Sequence, residues 1–372
     1  MMDAESSQRL NMLRFPLIVG VVFVHAYGTD LGFAGGTLGV GETDAVTHFI
    51  RNFISQGVAR TAVPLFFLMS GYFFFVEFSW SITNYVNKLA TRVQTLLIPF
   101  LIWNIVTLVV TVVAQSLPAT QSYFSGKNAL VASFDFVDYI SAIFGIGRMP
   151  IAYQFWFIRD LMVLALLAPA IHFFLVRLPL FFIAGVTICW LTGVWPLFVP
   201  SSEATLFFAI GGMVAIKGKN LFALDDCIRF IVVAYLLVLS ADVLLIHTQW
   251  HRYLYKVGIV LGVLSMLCVS KIILRHARLK EVLLGLASAS FFVFAAHEPL
   301  LTIFRKIVFK LILPDSSFVI LVLYFLIPIL LIMLLVSAYQ FGARRFTWLT
   351  RVITGGRCAG VAGNYVADGA RR

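Results

Sequence analysis

The sequence predicts an all-α protein, a polytopic integral membrane bundle of about ten transmembrane helices. Three observations predict it. First, of 372 residues 61% are hydrophobic and only 12% charged, with a mean hydropathy of +0.96; soluble domains run closer to half apolar and a quarter charged. Second, apolar stretches near the length needed to cross the hydrocarbon core, about 20 residues, recur along the whole chain. They fall at 13–30, 57–77, 95–116, 155–175, 179–198, 204–216, 229–247, 254–273, 283–304 and 317–340, the sixth short and interrupted by Gly211-Gly212. Third, lysine and arginine are distributed unevenly between the loops. With a cytoplasmic N-terminus, 18 of the 28 fall on the inner side and 8 on the outer, while Arg60 and Arg159 sit just inside helix ends. That bias places both termini in the cytoplasm.

One membrane domain is expected over residues 1–343, followed by a basic, Gly/Ala-rich tail over 344–372 that reads as mobile. The N-terminus has the charge-then-apolar look of a signal peptide, but the many later spans make it an uncleaved first helix. A net charge of +11 comes without a basic run or zinc-type spacing, which excludes a nucleic-acid partner. In a membrane protein it reads as attraction to anionic lipid and to acidic cofactors. The four cysteines, Cys189, Cys227, Cys268 and Cys358, form no CxxC or Cys/His cluster, so neither a metal site nor a disulfide framework is expected. Two outer loops are long. Residues 31–56 start Gly-rich and turn amphipathic, and residues 117–154 contain "SFDFVDYISAIFG", spaced like a short interfacial helix.

Five stretches carry ionisable residues where a membrane makes them costly. In "LRFPLIVGVVFVHAYG" (13–28), Arg14 and His25 are 11 residues apart, so on a helix they share a face within roughly 20° and are separated by about 16 Å. Arg14 would lie at the inner edge and His25 near mid-membrane, either as a hydrogen-bonded interior histidine or as a functional one. "RTAVPLFFLMSGYFFF" (60–75) sets Arg60 before Pro64 and ends in Ser70-Gly71-Tyr72, which suits close helix packing. Lys88 and Arg92 are i, i+4 on one inner helix face, a geometry for phosphate or for simple anchoring. In "FWFIRDLMVLALLAP" (155–169), Arg159 and Asp160 point about 100° apart and should pair poorly with each other; Arg60, at similar depth, is a candidate partner. In "SFFVFAAHEPLL" (290–301), His297 and Glu298 precede Pro299 deep in a span, near the level of His25. Asp242 is a lone acid in the seventh span, expected to be paired structurally.

Taken in order, these stretches resemble the acyltransferase 3 family of bacterial membrane O-acyltransferases. The resemblance rests on Arg14-x10-His25, "VPLFFLMSGY", the basic pair before "IPFLIWN", "FWFIRDLMVLALLAP" and "FFVFAAHEPLL", and spans about residues 9 to 340. It implies transfer of an acyl group, usually acetyl from acetyl-CoA, to a sugar hydroxyl of a lipid-linked or surface glycan, as in stand-alone exopolysaccharide acetyltransferases. It implies a location in the bacterial inner membrane. By the same resemblance His25 becomes the catalytic histidine, as general base or transient acyl carrier, with Arg14 as its motif partner near the donor entrance and His297 as a second catalytic residue. Lys88 and Arg92 stand where the family often has an Arg-x-x-Arg-like element, and with Ser70 and Tyr72 would meet the CoA donor. Arg60, Arg159, Asp160 and Glu298 would serve the acceptor. No metal is implied. A glycan transporter or flippase would also bury His and Arg, but it would more often show internal repeats, and none is evident in the sequence. A membrane-embedded sensor or scaffold is a third class.

Overall fold

A computed structural model of the chain describes residues 4–76, 80–126 and 129–357. Lys127 and the end of the tail, residues 358–372, lie outside the described residues. The first helix, α1 (Ala4–His25), carries Pro16 in its interior and runs through the middle of the bundle, touching α3, α13, α14, α15 and α16 as introduced below. Arg9, counted in the sequence among the inner anchoring charges, is buried there. Its guanidinium donates to both oxygens of Asp225 at 2.7 and 2.8 Å and to Ser270 Oγ at 2.9 Å, and it lies 3.6 Å from the Phe222 ring centre.

After α1 comes an antiparallel hairpin, β1 (Asp30–Phe33) and β2 (Gly36–Gly39), which pairs Phe33 with Gly36 across the Ala34-Gly35 turn. The Gly-rich loop thus becomes the small strand element in an otherwise helical chain, because Gly36 and Gly39 supply the positive φ values of 132° and 114° the ribbon needs. Then follow α2 (Ala45–Arg51), a short irregular turn through Thr61, and α3 (Ala62–Phe75). Next are α4 (Ile82–Arg92), α5 (Ile98–Ser116), the short α6 (Pro118–Gln121) and α7 (Phe136–Phe144). The last is a short helix, as expected within residues 117–154, started by a reciprocal Asp135/Asp138 capping box with Phe136 and Val137 exposed.

Helices α8 (Trp156–Leu166) and α9 (Ala168–Arg177) meet at a 63° bend, where Pro169 removes a backbone donor. Then come α10 (Pro179–Thr192), α11 (Ser202–Ile216), α12 (Ile228–Leu244) and α13 (His251–Arg275). Helix α14 (Ala277–Ala287) bends by 63° into α15 (Ser290–Ile312), and α16 (Ser317–Arg345) and α17 (Thr347–Ile353) complete the fold. Asp242 is paired as expected, its Oδ1 lying 2.8 Å from His251 Nδ1.

Among the described residues, five helical segments are long and apolar enough to cross a membrane, and up to seven if each bent pair is one span. The ten spans of the sequence reading also count α1 and the two shorter apolar helices, α10 and α11. Large apolar side chains cover the outside: Ile105, Val106, Val109, Val110 and Val113 of α5 are all exposed, a surface matched to lipid and costly in water. Gly211-Gly212, which makes the sixth stretch look broken, is instead a packing seam. A Cβ on Gly211 would lie 2.0 Å from Leu68 O, and one on Gly71 2.0 Å from Phe208 O, so α3 and α11 cross backbone to backbone.

Candidate active site

Pro299 organises the first half of the site. It breaks α15, and Glu298 before it takes an extended conformation (φ −108°, ψ 136°), as the residue preceding proline prefers. The break leaves carbonyls without helical donors, and the buried Gln154 supplies them: its Nε2 donates to Ala295 O at 3.1 Å and Glu298 O at 3.0 Å. Irregular backbone is thereby tolerated deep in the bundle, and Glu298 is turned toward Tyr153.

His25, the last residue of α1, and His297 of α15 face each other with ring centres 5.2 Å apart. His297 is fully buried. Its Nδ1 is 2.6 Å from Phe294 O; a carbonyl only accepts, so Nδ1 carries the proton and Nε2 the lone pair. That Nε2 has no hydrogen-bond partner among the described residues. His25 is half-buried, and its Nδ1 lies 3.0 Å from the Tyr153 hydroxyl. Tyr153 in turn donates to Glu298 Oε1 at 3.2 Å, and Thr302 donates to Oε2 at 2.9 Å. Both carboxylate oxygens accept, so the single tyrosine proton is committed to Glu298. His25 Nδ1–H must then donate to the tyrosine oxygen, which leaves Nε2 of His25 as the basic atom. Two arginines fix this end of α1: Arg305 donates to Gly28 O at 2.5 Å and His25 O at 3.4 Å, and Arg51 donates to Tyr27 O. Both sit at a helix C-terminus, where cations are favoured.

Arg14, Arg92 and Arg357 line one end of a cavity of about 170 Å³. Its walls are apolar, with Ile18, Val21, Phe66 and Met69 among them, and carry two hydroxyls, Ser70 and Ser290. Ser290 Oγ is buried without a partner among the described residues. The cavity stops at Val21 and Phe294, and the Phe294 ring lies 6.2 Å from that of His297. From Val21 to His25 is one helical turn, about 6 Å.

The structure therefore brings His25, His297 and Glu298 together, and separately gathers Arg14, Arg92 and Ser70 around the cavity. Lys88 is turned elsewhere, its Nζ donating to Phe74 O at 2.5 Å at the end of α3. Tyr72 is buried edge-on to Phe73. Neither lines the cavity. Arg60 donates to Gln56 Oε1 at 2.9 Å. The expectation that Arg159 and Asp160 pair poorly is corrected. They form an ion pair at 3.2 Å, because the long arginine side chain bends back across the 100° between neighbouring positions. Arg60 is the partner of neither. Arg159 also donates to Gly145 O and Arg148 O at 2.7 and 3.0 Å, and Asp160 Oδ2 accepts from Ser201 N at 2.8 Å, so the pair ties that turn to the start of α11.

Tyr153, Gln154, Arg305 and Arg357 were missed in the sequence. A signal existed for one of them: Glu298, Thr302 and Arg305 fall at i, i+4 and i+7, one helix face.

The acyltransferase domain family matches residues 7–338, a stretch that ends within α16. The chain is 28% identical over 369 residues to the succinoglycan biosynthesis protein ExoH of Rhizobium meliloti (strain 1021), covering 96% of this chain and 94% of that protein. No solved structure matches it. With the family match covering nearly all of the helical bundle and the paired histidines lying inside it, the chain belongs to the acyltransferase 3 family.

Proposed function

We propose that the protein moves an acyl group, acetyl in the first instance, from acyl-CoA on the cytoplasmic side of the bacterial inner membrane to a sugar hydroxyl of a lipid-linked or surface polysaccharide. The observation that carries this reading is the arrangement around α1: an arginine-ended cavity stops one turn short of a histidine whose Nε2 is held basic by Tyr153 and Glu298. An anionic nucleotide end suits the arginines and a slender thioester arm suits the apolar walls. The relative named for succinoglycan biosynthesis favours an extracellular polysaccharide as acceptor.

In this mechanism His25 Nε2 takes the proton of the sugar hydroxyl as its oxygen attacks the thioester carbonyl. The Tyr153–Glu298 pair holds the ring and steadies the imidazolium that forms. Arg60 stabilises the oxyanion. Collapse expels the CoA thiolate, which takes the proton back from His25, so the histidine is returned neutral. His297, pinned through Nδ1, presents its own Nε2 beside the reacting groups.

The test uses purified protein in detergent or vesicles, with acetyl-CoA and a glycan acceptor, following O-acetyl formation by mass. His25→Ala is expected to lower turnover by about 10³-fold or more while the protein still inserts and melts as the parent does. Undiminished acetylation by that variant would refute the role of His25. Glycan flux without acetylation would favour a transporter.

A further inference from the structure

We propose that Arg357, which follows α17, is a third phosphate-binding residue of the acyl-donor site, delivered by a C-terminal segment that docks across the cavity mouth. This rests on the acyl-CoA reading given above.

The start of the tail, expected to be mobile, is held in place. Trp103 Nε1 donates to Ile353 O at 3.0 Å, and Tyr339 donates its hydroxyl proton to Arg357 O at 2.9 Å. Gly355, at φ +64°, presses against Thr95, where a Cβ would lie 2.5 Å from the carbonyl oxygen. Only a glycine fits that backbone conformation and that gap. The docking aims the Arg357 side chain. Its Nη1 donates to Thr95 O and Thr354 O, both at 2.9 Å, and the guanidinium lies 4.5 Å from the Phe291 ring centre. One edge of the fork is thus fixed, while Nε and Nη2 have no hydrogen bond among the described residues.

Three guanidiniums from distant parts of the chain converge on one cavity, and its described lining holds no aspartate or glutamate. Anchoring charges would spread outward to the headgroups instead of gathering inward. Burial, with the charges of Arg14 and Arg92, holds the affinity of Arg357 for its proton below the arginine norm. Three guanidiniums lining one cavity suit a ligand that carries several negative charges. The diphosphate and phosphate monoester of a CoA thioester supply such charge, and planar guanidinium forks match phosphate oxygens. An anionic lipid headgroup offers the same phosphate chemistry, so the test separates the two.

The full chain is purified in neutral detergent and assayed with acetyl-CoA and with S-acetylpantetheine, which lacks the phosphates beyond the pantetheine arm. Arg357→Gln is expected to raise KM for acetyl-CoA about 10-fold, the loss of one charge-assisted contact, with kcat little changed and KM for acetylpantetheine unaltered. Arg357→Lys should recover part of the loss. An equal defect with both donors would reduce Arg357 to a structural strap and overturn the proposal. So would an unchanged KM, or a defect seen only as altered dependence on added phosphatidylglycerol. If the parent protein prefers acetyl-CoA and the variant keeps that preference, Arg357 alone is misassigned. If the parent turns over no acetyl-CoA, the donor reading falls, and the Arg357 assignment with it.

Discussion

Arginines do opposite things at the two ends of this molecule. At one end, where α8 begins, Arg159 is consumed by the protein: two carbonyls and the Asp160 carboxylate occupy its donors, and through Asp160 it fixes the start of α11. Toward the start of α1, Arg14, Arg92 and Arg357 line a cavity whose described walls hold no acid. The contrast teaches that depth and residue type do not assign a function to a membrane arginine. What sets Arg14, Arg92 and Arg357 apart from Arg159 is that they line a cavity.

The comparison can be broken most severely at Arg159. Arg159→Met strands the buried Asp160 without its cation, and the cost should be about 3 kcal/mol of stability, read as a lowered thermal midpoint in detergent. Donor KM in whatever folded fraction remains should be unchanged. A rise in KM without loss of stability would move Arg159 from the scaffold to the site.

A smaller effect sharpens the cavity end. Arg14→Gln should raise the KM for acetyl-CoA about 10-fold, the worth of one charge-assisted contact, without lowering the thermal midpoint. Lys88→Gln should do the reverse, losing about 1 kcal/mol with its bond to Phe74 O and leaving KM alone. Equal KM effects in the two variants would return Lys88 to the donor site.

The smallest effect belongs to a charge satisfied within the first turn of its own helix. The Asp44 carboxylate accepts from Val46 N and Thr47 N at 3.0 Å to start α2, and the Thr47 N–H, the largest contributor, holds its carboxyl below the ordinary carboxylate value. Because the folded state binds the proton less readily, the cap's stabilisation is complete above about pH 4, the unfolded value. It is lost as pH falls through the lower folded value. Amide exchange in α2 should quicken in that acid window in the parent, whereas Asp44→Asn should show no such acid step.

Much of the helical architecture was legible, because a membrane leaves backbone few options and hydropathy reports directly on them. Arg14 and His25 share a face by helix geometry, and the depth of His297 follows from its place in a span. Other features depend on tertiary docking that no periodicity records. Lys88 and Arg92 share a helix face in sequence, yet only Arg92 reaches the cavity, since Lys88 is captured by the end of α3. Tyr153 lies in a turn just before a span, where apolar spacing says nothing about side-chain direction. Arg357 sits in a segment whose composition reads as a tail, and only its contacts with Thr95, Trp103 and Tyr339 make it part of the bundle. The number of spans was least legible, because α10 and α11 are shorter than a bilayer is thick.

Phe294 has a consequence of another kind. It lines the cavity, and its ring centre lies 6.2 Å from that of His297. The ring of Phe294 stands between the two, packed against Phe155, Phe157 and Phe291 at centroid distances of 5.3, 6.1 and 6.0 Å. These rings make an apolar partition between the cavity and the histidines. In the proposed reaction the acyl group must pass the Phe294 ring to reach His25.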